Sequence, residues 1–138
     1  MVINGYGSGS GYGYGYGYGS GYWIATIVYQ ALRWTESQRK RLGELRAAGA
    51  RIAFWRSGPN GEPANGGDGR ALPAAAPGVV HEITGPIKLC SQALHATTEP
   101  PKWKGSRTWV VALVGEIVGE EDKLGALKRE FIAEVPTP

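Results

Sequence analysis

The densest gathering of chemically capable side chains is the phrase ALHATTEPPKWKG, residues 93–105, which brings His95, Thr97, Lys102, Trp103 and Lys104 close together. An imidazole, a hydroxyl and ammonium groups can hold a phosphate or carboxylate, and an indole can stack on a flat ring. That combination suits a nucleotide. The alternative is structural: a histidine hydrogen-bonded to a turn and a tryptophan closing a core.

A second candidate lies upstream. Arg56 ends an alternating run, RIAFWR, immediately before the Gly- and Pro-rich segment SGPNGEPANGGDG. A guanidinium there could clamp an anion bidentately, and Asn65, Gly66 and Gly67 could offer backbone amides to the same group. No GxxxxGK[ST] phosphate loop is present, and the Asn-Gly-Gly sequence equally serves a turn that requires positive φ. Arg56, Asn65, His95, Thr97, Trp103 and Lys104 are therefore the candidate ligand-binding residues.

Catalytic constellations are weaker. Cys90 is the sole cysteine, so it can form neither an intramolecular disulfide nor a zinc ribbon, and as a nucleophile it would need His81 or His95 as base. Glu116, Asp122 and Glu130 sit in charged strands and turns that solvation explains. No HExxH or paired-ligand spacing occurs. No catalytic residue, metal or cofactor is expected.

These side chains need a scaffold, and the chain carries one. Thr35 and Gln38 have capping-box spacing, Leu42 and Leu45 share a face, and Gly49 stands where a left-handed cap belongs, which predicts a helix over 36–48. Period-two patterns predict strands at 51–56, 79–83, 107–114 and 128–135, with the last and next-to-last forming an antiparallel pair. A buried strand is expected at 23–29, WIATIVY, and a polar turn or short helix at 120–127. The expectation is a small α+β domain over 23–138, with a mostly antiparallel sheet, one main helix and long Gly/Pro-rich loops.

Residues 1–22 are different in kind. From Gly5 to Tyr22 every odd position is Gly and every even one is Tyr or Ser, which on an extended strand puts a bare face opposite a Tyr/Ser face. Glycine's backbone entropy disfavours order in an isolated copy, whereas several copies could pair and stack their rings. An extended tract of this length reaches about 60 Å, against about 35 Å for the width of such a domain. The tract is expected to be an arm, with homo-oligomers forming through residues 5–22.

The formal charge of +3 is mild, and acidic residues interrupt the basic ones. Duplex nucleic acid is not an expected partner, although Lys88, Lys102, Lys104 and Arg107 could meet a small anion. The longest apolar runs fall far short of the roughly 20 residues that span a bilayer. No membrane partner is expected, and the N-terminus lacks the pattern of a classical secretion signal.

Taken jointly, IAFWRSGPNGEPANGG, GPIKLCSQALHATTEPPKWKG, TWVVALVGEIVGEEDK and ALKREFIAEV resemble an uncharacterised domain of tailed-phage and prophage proteins, over roughly residues 50–135. The resemblance implies a phage origin, with residence in the host cytoplasm or association with the virion. It adds weight to Arg56, Asn65, His95, Thr97, Lys104 and Lys123. LHAT is also similar to the histidine-containing strand motif of ADP-ribosyl transferases, although no matching Tyr and Glu follow in order. The expectation is a non-catalytic module for a small anionic ligand, a nucleotide by preference, that would sequester a host defence signal. Its alternatives are a fibre-forming virion protein and an ADP-ribosyl-transferase-like enzyme.

Overall fold

The structure, a computed structural model, describes residues 33–65, 72–89, 92–120 and 122–135. The Gly/Tyr tract, the expected strand at 23–29, Gly66, Gly67 and Cys90 lie outside the described residues. Among the described residues the fold is α+β: one α-helix and two small antiparallel sheets.

Helix α1 spans Glu36–Ala47 and begins as its sequence dictates. The Gln38 amide donates to Thr35 Oγ1 at 3.1 Å, and the Thr35 amide donates back to Gln38 Oε1 at 2.9 Å, which satisfies two of the amides a helix start leaves bare. Beyond the Ala48 cap, Gly49 takes φ 93°, a left-handed value that glycine adopts without a Cβ penalty. Arg41 anchors the helix to the sheet: its Nε and Nη2 donate to the Glu130 carboxylate at 2.7 and 2.8 Å.

The larger sheet has four strands in the order β1-β4-β7-β2, where β1 is Arg51–Ser57, β2 Val80–Glu82, β4 Arg107–Val114 and β7 Lys128–Val135. The smaller one runs β3-β6-β5, with β3 Leu94–Ala96, β5 Val118–Glu120 and β6 Lys123–Ala126. The expected pairing of 107–114 with 128–135 is present, antiparallel, with a register shift at Val110/Val111. The segment 120–127 is corrected: it is neither a polar turn nor a short helix. Glu120 pairs with Lys123, and Lys123–Ala126 is a strand. Gly119 permits this hairpin, because at φ 101° a Cβ would stand 2.2 Å from the Lys123 carbonyl oxygen.

Two apolar layers result. Leu42 and Leu45 of α1, with Trp34, pack on Ile52, Phe54, Val110, Ala112 and Ile132 from one face of the larger sheet. Trp55, Trp109, Val111, Leu113 and Phe131 point the other way and meet Leu124, Ala126 and Ala96 of the smaller sheet. The two sheets are tied along the outer edge of β1, where Phe54 and Thr97 exchange backbone hydrogen bonds of 2.8 Å in both directions. This bridge fixes the segment after β3 beside Trp55 and closes one side of a cavity.

Candidate functional site

Sequence neighbours at 129 and 130 set up the site by pointing opposite ways, as strand pleating requires. Glu130 turns toward α1 and Arg41, whereas Arg129 turns with Phe131 toward the smaller sheet. Arg129 is paired across the β2–β7 ladder with His81, so the two side chains stand on the same face. Arg129 Nη2 meets His81 Nδ1 at 2.7 Å, and Nη1 donates to the His95 carbonyl at 2.8 Å. The guanidinium lies over the Trp55 ring at 4.8 Å from its centroid and 5.5 Å from that of Phe131. Only 4% of Arg129 is exposed.

The chemistry fixes the tautomer of His81. A guanidinium can only donate, so Nδ1 must accept from it; Nε2 then carries the proton and donates to the Pro73 carbonyl at 2.7 Å. Burial holds the His81 pKa below its ordinary 6.5, the Arg129 charge pushes the same way, and the Pro73 carbonyl opposes both. At neutral pH this imidazole is therefore uncharged. Both of its nitrogens are engaged, which leaves it a structural partner of Arg129 and not an acid–base group.

Arg129 and His81 line a cavity of about 180 Å³. Trp55, Trp103 and His95 supply its aromatic walls, Pro63, Leu72, Pro73, Ala74, Ala93 and Leu94 its apolar ones, and Glu62 and Asn65 complete the lining. A cation over an indole face, inside a small aromatic enclosure, can hold an acceptor edge or a delocalised anion on a flat ring.

Of the six residues expected from sequence, three line this cavity: Asn65, His95 and Trp103. Asn65 acts as a clasp for its neighbour, with Nδ2 donating to the Lys104 carbonyl at 2.6 Å and Oδ1 accepting from the Lys104 amide at 2.8 Å. Lys104 itself lies next to the lining residue Trp103 with an exposed side chain. The remaining two are engaged elsewhere. The Arg56 guanidinium donates to the carbonyls of Pro100, at 3.1 Å, and Gly105, holding the turn that carries Trp103, and so is not presented to an anion. Thr97 is fully buried, and its Oγ1 accepts from the Glu99 amide at 2.9 Å, which shapes the 3-10 turn Pro100–Lys102. Two of the four residues of the wider basic cluster are paired with carboxylates: Lys102 sits 3.3 Å from Glu99, and Arg107 donates in bidentate fashion to Glu134 at 2.8 and 2.9 Å.

Sequence reasoning missed Arg129 and Trp55, and offers His81 only as a base for Cys90. The available signal was the alternation of β7, since Arg129 shares parity with Phe131 and so belongs on a buried face. Among the described residues no group of three or more His, Cys, Asp or Glu side chains could hold a metal ion, and no helix is long and apolar enough to cross a membrane. Comparison with known protein families, with curated proteins and with solved structures finds no match.

Proposed function

We propose that the protein is a non-catalytic binding module for a small anionic ligand that carries a flat ring, a nucleotide being the class that fits best. The observation that supports it most is the buried Arg129 guanidinium, laid over Trp55 and oriented by His81 and His95, on the wall of a ring-sized cavity. Holding is favoured over turnover because both His81 nitrogens are committed to Pro73 and Arg129. In a phage-infected host, such a module would sequester a signalling nucleotide.

The test is thermal stability against a panel of mononucleotides. A ligand that binds only the native state adds about 2.7 kcal/mol at a hundredfold excess over Kd, which for a domain of this size raises Tm by roughly 10 °C. The same ligand should give a smaller rise with Trp103→Ala. A flat panel, or identical shifts in wild type and variant, would remove this reading.

A second reading rests on the dipeptide alternation of residues 5–22, which favours self-association of an arm, as in a fibre or virion component. Deleting residues 1–22 should then reduce large assemblies to monomers in sedimentation. Unchanged size counts against it.

A further inference from the structure

We infer that the exposed flank of α1 formed by Arg39, Lys40, Gly43 and Arg46 is a docking surface for the phosphate backbone of duplex nucleic acid. It is independent of the ligand-site reading, because α1 covers the face of the larger sheet opposite the cavity.

Charge is gathered there more than composition suggests. Residues 33–47 carry five basic and two acidic side chains, a net +3 that equals the formal charge of the whole chain and leaves the remainder neutral. The two flanks of the helix differ. On one, Arg41 is engaged with Glu44 and Glu130 at 3.2 and 2.7 Å. On the other, Arg39, Lys40 and Arg46 are exposed and make no ion pair among the described residues, and neither does their acidic neighbour Glu36. Arg39 Nη1 donates to the Trp34 carbonyl at 2.6 Å, which folds that guanidinium toward the start of the helix. Arg46, in the last turn, suits the negative end of the helix dipole. Arg39 and Lys40 lie in the first half, where a cation gains nothing from that dipole, so helix stability does not account for them.

Gly43 is a separate observation. Arg39 and Lys40 lie one turn before it and Arg46 one turn after, the spacing that sets helical positions side by side. Glycine in mid-helix costs backbone entropy that alanine does not, and a Cβ at Gly43 would meet nothing within 4 Å. No contact among the described residues asks for glycine. A bare stretch of backbone beside three cations lets an external chain approach closely.

The occupant follows from what this flank holds and what it lacks. Arg39 and Arg46 stand about 10 Å apart along the axis, so the cations match a row of charges and not one small anion. Two of the three are guanidiniums, whose fork fits phosphate oxygens. Leu42 and Leu45 are buried against the sheet, which leaves the helix no apolar face for a bilayer. The helix, ESQRKRLGELRA, has no aromatic side chain on which unpaired bases could stack. A duplex, with its phosphates outward and its bases paired inside, needs neither. Over the whole chain the same charge looks mild, which is why composition does not announce this partner.

Fluorescence anisotropy of a labelled mixed-sequence DNA duplex, titrated with the full chain, tests this. The duplex should bind with a Kd on the order of 10⁻⁴ to 10⁻⁶ M at about 50 mM salt, and about 15- to 60-fold more weakly at about 200 mM, as two to three phosphate contacts require. Lys40→Gln and Arg46→Gln should each lower the slope of log affinity against log salt by about 1. Gly43→Gln changes no charge: it should raise Tm by about 2–4 °C and yet weaken the duplex severalfold. A single strand of the same length, poly-L-glutamate and vesicles of phosphatidylserine with phosphatidylcholine should all bind less well. No binding at low salt, a slope unmoved by both charge substitutions, Gly43→Gln binding as wild type does, or any of the three other polyanions binding as tightly as the duplex would each overturn the inference. The cavity reading would stand untouched by any of these results, since its own test uses mononucleotides and Trp103→Ala.

Discussion

Replacing His81 with leucine removes the acceptor that Arg129 uses at 2.7 Å and the donor that Pro73 receives at 2.7 Å, while keeping an apolar side chain of similar bulk. A hydrogen bond to a charged group is worth about 1.5–3 kcal/mol, and an orphaned buried carbonyl adds about 1 kcal/mol or more. The expected loss is therefore about 3 kcal/mol, a large share of the 5–15 kcal/mol typical of a domain, or roughly 12 °C or more in Tm. Urea denaturation at several pH values is the assay, because the neutral imidazole also predicts a slope. The folded-state pKa of His81 lies below 6.5, so just below that pH the unfolded chain binds more protons than the folded one. Wild-type stability from this group is thus complete above about pH 6.5 and is lost as pH falls through the lower folded value. His81→Leu should lose that portion of the pH dependence. His81→Gln, which supplies one acceptor and one donor, should retain most of the stability and also lose the slope. A loss under 1 kcal/mol in His81→Leu, with the slope between pH 5 and 7 unchanged, would refute the pairing and its tautomer.

Three further outcomes follow from the packing. Phe131→Ala should cost about 3–5 kcal/mol in chemical denaturation, because its fully buried ring meets Trp55, His81 and Trp109 edge to face at 5.0, 4.9 and 6.1 Å. Gly61→Ala should destabilise more than Gly115→Ala by Tm: both have positive φ, 82° and 91°, but only at Gly61 would a Cβ meet backbone, 2.9 Å from Ala75 N and O. The Arg107 guanidinium holds the Glu134 carboxyl below its ordinary 4.5, so the stability it contributes is present above that pH and lost as acid takes it through the lower folded value. Arg107→Gln should flatten the stability profile below pH 5.

The elements that were legible in the sequence are those set by local chemistry. The reciprocal Thr35 and Gln38 bonds, the Gly49 cap and the alternation of 107–114 and 128–135 follow from short-range rules, and the helix and central strands appear accordingly. The 118–126 hairpin was not legible, since Glu120, Asp122 and Lys123 carry the charge of a solvated turn and its strands are only three and four residues long. Their strand geometry comes from pairing with Leu94–Ala96 and with each other, which is tertiary. Half of the candidate site was legible for the same reason. His95, Trp103 and Asn65 announced themselves as polar or aromatic residues in loops, while Arg129 was masked by its charged neighbours Lys128 and Glu130. Its role depends on a cross-strand partner, His81, that lies far away in sequence. Arg56 and Thr97 had the right chemistry for a ligand, but nearby carbonyl and amide groups claim it for two turns.

We propose that a ligand sits in the cavity bounded by Arg129, Trp55 and Trp103. Side-chain nitrogen NMR reports on those groups individually, with uridine 5′-monophosphate and adenosine 5′-monophosphate as titrants. Saturable shifts of the Arg129 guanidinium and of the Trp55 and Trp103 indole signals are expected, with Trp34, on the opposite layer, unmoved. Shifts confined to exposed lysines, with Arg129 and both indoles unchanged at saturation, would contradict it.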